Sequence, residues 1–533
     1  MHPIIHAQKD QNFILWKDLI KKFFVPKRKY PFYFKFDNWE GYLALHDKNI
    51  TIEKLVSACR NFDKKFLGSL ESDYLIFGVN EEQNQLNIIS SVSGKFPLYF
   101  SAFGNDFIAS TDFGEVFKVL PRVKIDFDSL LDYLFTDYSF YITDKTFING
   151  VYKLPPGCLL KVNHNFEMSI EQIIDAGEFL KDKPERNQDI VNFRNELLQK
   201  LNEVVFNLVE SIKDLPISAD LSSGFDSPLV NFLLKNQDNF QFKSFCFLSN
   251  EDKGDTIKEL VEKFARKHNL DLSIIDVTDL HPFVNKEELE WNKNHFFPGT
   301  HFLPIGLKFY QYKREILGGN YATFNGHGGD ELYMAYLLHF NLDKIIKDEI
   351  DWVKEGIRAG IGKIFTDKAL EILLDEKRLR RNKIYFSPIA PTALQWFTFP
   401  LYWQYGNWEI SPYNNLSLIK LAMKIPKIDR GRLKKHQLWQ GRTDIFLPEQ
   451  FKRIKKPFDH HLLQMFDKKP DFLIEVLSNS VLEEIGLIKA SQMINAIKEN
   501  KSRDYFKNLL PIFVSTIRLE FFLQSNGFVS SIP

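Results

Sequence analysis

"LPISADLSSGFDSPLVNFLLKN", Leu215 to Asn236, decides how this chain is read. Its first seven residues read as a strand and its last ten as a helix. Between them "SSGFDS", Ser222 to Ser227, is a loop of small residues holding one acid, Asp226. A helix N-terminus leaves N–H groups without intrahelical partners, and these attract anions. Ser222, Ser223, Gly224 and Ser227 keep side chains small enough for backbone amides to approach phosphate oxygens. Asp226 is a poor direct neighbour for phosphate unless a divalent cation lies between them, so the loop suits polyphosphate with Mg²⁺. It is not a Walker A loop, because GxxxxGK[ST] is absent. The same residues would also serve as a plain Asx/Ser helix cap in a surface turn.

Working outward, "FKSFCFL" (242–248) reads as a second strand, "TIKELVEKFARKHNL" (256–270) as a helix and "LSIIDVT" (272–278) as a third strand. Upstream, Ile190, Phe193, Leu197, Leu201, Val204, Leu208 and Ile212 recur at helical spacing. Strand–helix alternation of this kind predicts an α/β fold with a mostly parallel, doubly wound sheet. Beyond Asn341 the pattern is mainly helical, including 472–497 and 505–525. The first ~180 residues read as short strands and turns, with "DYLIFGV" (73–79), "FPLYFSAF" (96–103) and "NDFIAST" (105–111) as β-rich runs. "KLPPGCLLKVN" (153–163) looks like a turn feeding a strand. The polar stretch from Phe179, "FLKDKPERNQD", suits a linker, which gives domains 1–182 and 183–533.

Bulk composition narrows the classes. At 533 residues, 44% hydrophobic and 26% charged, the chain is an ordinary globular sequence with room for two domains. Equal numbers of basic and acidic side chains, 69 of each, advertise neither a nucleic-acid nor an acidic-membrane partner. Cys59, Cys158 and Cys246 lie far apart with no CxxC pair, which fits a reducing cytoplasm and argues against a structural zinc site. "MHPIIHAQKDQNFILWKDLI" has no signal-peptide pattern. The long uncharged stretch Ile384–Trp408 is broken by Pro388, Pro391 and Pro400, so a buried core segment is expected there rather than a membrane span.

A second stretch reinforces the first. "FNGHGGDELYMAY", Phe324 to Tyr336, follows the apolar run "NYATF" and again places an acid, Asp330, after glycines. Loops leaving the C-terminal edges of parallel strands converge where such sheets bind nucleotides. Asp226 and Asp330 are therefore the candidate Mg²⁺ ligands. Leu221, Ser222, Ser223, Gly224, Asp226, Ser227, Leu248, Asn325 and Gly326 are the candidate nucleotide-binding residues. A glycine-rich turn with a capping acid is the plainer account of the second loop.

These residues resemble a known family. "LSSGFDS" is similar to the SGGxDS pyrophosphatase loop of the asparagine synthetase superfamily, and "NGHGGDELY" to its second glycine-acidic motif. "SPYNNLSLIKLAMKIP" (411–426) and "LPEQFKRIKKPF" (447–458) resemble its SPY…LP and LP…RPK segments. Upstream, "SGKFPLYFS" and "FINGVYKLPPGCLLKV" resemble elements of its amidotransferase-like half. The resemblance implies a degenerate Ntn-type α+β sandwich domain ahead of an ATP pyrophosphatase (PP-loop) domain. The activity it implies is ATP-dependent amide formation through an acyl-adenylate, with Lys456 neutralising charge on the adenylate. Lys455 is adjacent, so that assignment carries a register ambiguity of one. Departures from the pattern are Ser223 in place of Gly, Asp220 where an apolar residue is usual, and Ile454 at the RPK arginine.

Glutamine-dependent relatives use an N-terminal cysteine, whereas position 2 here is His2 and the nearest cysteine is Cys59. The amine is then expected to come from a substrate. In β-lactam synthetases a Tyr before the Gly-x-Asp pairs with a Glu before SP, and here those positions hold His327 and Glu409. Histidine with a carboxylate suits deprotonation of an ammonium near neutral pH. "GHGGD" and the helical tail most resemble lasso-peptide cyclases. That resemblance implies a linear core peptide as substrate, a leader peptidase and a leader-binding protein as partners, and a cytoplasmic location. A small-molecule ligase of β-lactam synthetase type and a non-catalytic nucleotide-binding scaffold are the alternatives. His460 and His461 read as helix-surface residues rather than metal ligands.

Overall fold

The run Ile217–Lys235 folds as its pattern predicts, strand then loop then helix, at the centre of a parallel sheet in the computed structural model. The structure describes residues 4–8, 32–44, 50–70, 73–121, 123–135, 141–175, 190–237, 240–249, 254–295, 303–333, 342–381, 385–386, 392–424, 435–451, 458–499, 501, 505–506 and 509–528. The boundary between residues 182 and 183, His2 and Lys456 lie outside them.

The first half is α+β. Its strands in chain order are β1 (Ile4–Gln8), β2 (Phe32–Phe36), β3 (Trp39–Ala44), β4 (Asp73–Asn80), β5 (Gln85–Ser90), β6 (Tyr99–Phe103), β7 (Asp106–Ser110), β8 (Tyr141–Ile142), β9 (Val151–Lys153), β10 (Cys158–Val162) and β11 (Met168–Gln172). One antiparallel sheet runs β1-β7-β6-β9 and a second runs β11-β10-β5-β4-β3-β2. Ile5, Ala7, Phe107 and Ala109 of the first share a buried cluster with Leu75, Phe77, Ile88 and Leu160 of the second. β4 is buried on both faces, which is why "DYLIFGV" reads as a continuous apolar run rather than an alternating one.

The second half contributes β12 (Ile217–Asp220), β13 (Lys243–Leu248), β14 (Leu272–Asp276), β15 (Tyr321–Phe324), β16 (Tyr385–Phe386) and β17 (Asn407–Ile410). β16 pairs with β8 and ties the halves together. The others form an all-parallel sheet ordered β14-β13-β12-β15-β17. The chain leaves β12 in one direction through β13 to β14, then crosses back to place β15 on the other side of β12. That reversal opens a crevice beyond the C-terminal ends of β12 and β15.

The two faces of this sheet differ, because side chains alternate along each strand. Ala219, Ala322, Phe324, Trp408 and Ile410 join the main apolar cluster with the helix Ile190–Ile212. That helix buries its 3.6-period stripe from Phe193 to Ile212, while Ile190, at its first turn, is exposed. The opposite face carries polar side chains under the helix Leu303–Leu317. There Ser218 Oγ lies 2.7 Å from Thr323 Oγ1, which donates to Asn407 Oδ1 at 2.8 Å.

Three expectations are refined. The uncharged stretch around Pro400 forms a helix, Thr392–Gln404, that continues through the proline and then runs into β17. No described helix is long and apolar enough to cross a membrane. The 472–497 pattern resolves into Pro470–Ser478, Val481–Glu484 and Ala490–Lys498, because Ser480 caps a new helix and Gly486 turns with φ +78°.

The helix Leu510–Ser525 packs against these. Its Arg518 reaches the buried Glu288 at 2.7 Å. Its Glu520 accepts hydrogen bonds from the Val481 and Leu482 amides and from Ser480. Burial pushes the Glu520 carboxyl up to about 7, against the pull of those bonds. From the ordinary value of 4.5 up to about 7, the folded chain therefore holds a proton that the unfolded chain has released. Stability from this group falls as pH rises through that window and is flat above it. Glu520→Gln is expected to flatten the slope of melting temperature against pH between about 5 and 7. An unchanged slope would assign the pH dependence elsewhere.

Candidate functional site

The first loop is held by its own hydroxyls. Ser227 Oγ accepts from the Ser222 amide at 3.0 Å and lies 2.9 Å from Ser222 Oγ, which accepts from the Gly224 amide at 3.2 Å. Gln450 donates to the Gly224 carbonyl at 2.8 Å, and Phe225 packs edge-on against Phe446 and Phe451. The helix Asp226–Lys235 starts after Phe225, which supplies no side-chain cap. Its first-turn N–H groups therefore face the loop without a side-chain acceptor at the cap position. Ser223 has no positive φ, so a residue with a Cβ sits there without backbone strain.

The second loop closes onto the first. A Cβ on Gly326 would come within 2.7 Å of the Ser227 amide nitrogen, and one on Gly329 within 2.5 Å of Asp226 Cγ. Glycine is required at both positions by this approach. Tyr413, from the SPY segment, donates its hydroxyl to the Asp226 carbonyl at 3.0 Å and fixes the start of the helix. Asp330 follows on the short helix Gly329–Tyr333 and is exposed. Leu221 and Leu248 pack in one apolar cluster at the ends of β12 and β13, beside the loop.

Beyond the loops, a polar group collects at the same edge of β12, β15 and β17. Asn325, 1% exposed, takes hydrogen bonds on its Oδ1 from Ser411 Oγ at 2.6 Å and from the His327 amide at 3.2 Å. Its amide nitrogen points to Glu409 Oε2 at 3.5 Å. Glu409 Oε1 accepts from the Tyr310 hydroxyl. Burial first, and the Glu409 carboxylate second, push the Tyr310 phenol well above its ordinary value. No hydrogen bond joins the His327 ring to Glu409 among the described residues; His327 is exposed at the loop, and both groups act electrostatically on Asp220.

Asp220 pairs with Lys313 from the helix Leu303–Leu317. Burial raises the Asp220 carboxyl and lowers the Lys313 ammonium, and the pairing opposes both shifts. Lys95, from the first half, donates to the Glu409 carbonyl, lies 3.8 Å from Asp73 and sits 4.4 Å from the centre of the Trp408 ring. Tyr310 and Lys313 carry no sequence signal beyond their residue type, since they arrive from a remote element, whereas Lys95, Tyr413 and Gln450 lie inside the SGKFPLYFS, SPY and LPEQF segments, whose resemblance does not say that they reach this site.

The site fits a nucleotide with a divalent cation. Two carboxylates, Asp226 and Asp330, belong to loops in contact, beside an uncapped ten-residue helix whose amides face the same loop. No group of three or more His, Cys, Asp or Glu is placed to hold an ion among the described residues, so the remaining ligands would come from phosphate and water. All three cysteines are buried, and burial pushes the Cys59 thiol well above its ordinary value.

Of the comparisons with known proteins, one family match covers the region of these loops. No curated protein matches the chain. Among solved structures, the allosteric regulatory enzyme of purine biosynthesis is similar at 12% identity, over 47% of this chain and 63% of that one, with a TM-score of 0.18. Glutamine phosphoribosylpyrophosphate amidotransferase from B. subtilis, complexed with ADP and GMP, is similar at 11% identity, over 57% and 59%, with a TM-score of 0.17. The chain thus spans less than two thirds of either. The family described as asparagine synthase matches residues 199–386, which hold both glycine-acidic loops and strands β12 to β15. Over those residues the chain is similar to the asparagine synthase family.

Proposed function

We propose that the protein is an ATP-dependent amide ligase that acts as a lasso-peptide cyclase. The observation that carries the ligase reading is the contact of two glycine-acidic loops at the strand-order reversal, inside the region matching asparagine synthase. In this reading Leu221 and Leu248 wall the base, and the Ser222–Ser227 loop with the helix behind it binds phosphates. Asp226 and Asp330 would hold Mg²⁺, which would supply charge neutralisation on those phosphates. A substrate carboxylate attacks the α-phosphate of ATP, giving an acyl-adenylate and pyrophosphate. An amine then loses its proton to the Glu409 region, with His327 at the loop edge as a second acceptor. It attacks the acyl carbon, and AMP leaves with the electron pair of the broken C–O bond.

Buried cysteines support a nitrogen source other than glutamine within this chain, since a shielded thiol of raised pKa is a poor nucleophile. In this reading the nitrogen comes from an amine-bearing substrate. The "GHGGD" loop and the helical tail favour a core peptide whose N-terminus closes on an Asp or Glu side chain. Such a cytoplasmic enzyme would work with a leader peptidase and a leader-binding protein. Lys456, from the basic segment after Phe451, is proposed to neutralise the adenylate.

The test supplies ATP, Mg²⁺ and synthetic linear peptides with a free N-terminus and an internal Asp or Glu. Pyrophosphate and AMP are expected only with such peptides, together with a product lighter by one water. Turnover of free amino acids in place of peptides would move the assignment to a small-molecule ligase. ATP binding without any turnover would move it to a scaffold.

A further inference from the structure

We propose that Asp220 is the carboxylate that seats the ammonium group of the amine substrate beside Glu409. The inference rests on the amide-ligase reading and adds to it the residue that selects an amine.

Asp220 ends β12, immediately before the first loop, on the polar face of the sheet. Lys313 holds its Oδ1 from behind; the Lys313 side chain is wholly buried, its ammonium 3.9 Å from the centre of the Phe309 ring. The Asp220 side chain stays 27% exposed, and its second oxygen takes no hydrogen bond among the described residues. The carboxylate is thus fixed on one side and open on the other. It lies within electrostatic reach of both Glu409 and His327, the groups assigned to the amine.

The local charge count favours a cation. Asp73, Asp220 and Glu409 are coupled to Lys95 and Lys313, and His327 acts on Asp220, so three carboxylates meet two ammonium groups and one imidazole. A protonated primary amine completes the set. Water does not, so the same imbalance works against hydrolysis of an adenylate. Stability alone gives no reason for the Asp220–Lys313 pair, because desolvating two charges offsets most of their attraction and apolar residues of similar volume serve as well.

The experiment compares one synthetic peptide carrying a free N-terminus and an internal Asp with its N-acetylated form, both with ATP and Mg²⁺. In Asp220→Asn, KM for the free-amine peptide is expected to rise about tenfold or more, and the ratio of macrolactam to AMP to fall by as much. The acetylated peptide, which is not expected to turn over, is read by its dissociation constant, and that constant is expected to change far less. An Asp220→Leu/Lys313→Met double variant controls for folding by its melting temperature, and it too is expected to lose the preference for the free amine. If the double variant recovers that preference, or if Asp220→Asn affects both peptides equally, the pair is structural and the proposal is overturned. If the wild-type protein releases no pyrophosphate with either peptide, while ATP binds, the cyclase reading fails and this inference fails with it.

Discussion

Asp226→Asn is expected to lower pyrophosphate release about a thousandfold while the protein stays folded. Asparagine keeps the volume of the side chain, which matters because Gly329 leaves room for it and no more: a Cβ there would lie 2.6 Å from Asp226 Oδ1. The Asp226 carbonyl still receives the Tyr413 hydroxyl, so the helix start is kept. What is lost is one negative charge at the junction of the two loops. Without it a divalent cation has only Asp330 from the protein, and the phosphates must shed charge against neutral amides. ATP itself is expected to bind within a few-fold of normal, because the asparagine amide can donate to phosphate. The defect should therefore fall on kcat rather than on KM for ATP. Exchange of labelled pyrophosphate into ATP, beside a melting curve, measures both. Full exchange in this variant would remove Asp226 from the metal site.

The parts of this site legible in the sequence are those built from local chemistry. "SSGFDS" and "NGHGGD" declare themselves because a loop that lets a backbone approach phosphate must be small, and its acid must stand at a fixed offset. The strand–helix alternation around them predicts the parallel sheet, and the sheet order then accounts for why two loops so far apart in sequence touch. The His327–Glu409 pairing drawn from motif position is not a direct hydrogen bond, since Asn325 and Tyr310 hold the Glu409 oxygens. Tyr310 and Lys313 lie on an ordinary amphipathic helix, where nothing in the spacing tells that one turn faces a sheet of polar residues. Asp220 stood out only as an acid in an apolar place; its partner, 93 positions away, could not be found by periodicity. Lys95 reaches Glu409 from the other half of the chain, across an aromatic seam in which the Phe96 and Trp408 rings lie tilted with centroids 5.2 Å apart. A contact of that kind depends on the arrangement of whole domains.

Glu409→Gln is expected to leave adenylate formation running and to cut amide formation by about 10²–10⁴-fold. The hydrogen bonds around this residue permit the exchange. Asn325 is fixed in orientation, because its Oδ1 already accepts from Ser411 and from the His327 amide, so its nitrogen must donate toward position 409. The glutamine carbonyl oxygen can take that place. Its amide then faces the Tyr310 hydroxyl, which can turn from donor to acceptor. Packing and hydrogen bonding survive, and only the charge disappears. Two consequences follow, and both act on the amine. The nearest buried base for its proton is gone. Asp73 and Asp220 are also left against Lys95 and Lys313, with His327 beside Asp220, a set with no surplus of carboxylates to favour an ammonium ion. The acyl-adenylate then forms and meets water instead, so AMP should appear without macrolactam. Pyrophosphate exchange at near-normal rate with loss of cyclised product would place Glu409 on the amine step. Loss of both together would place it with the nucleotide.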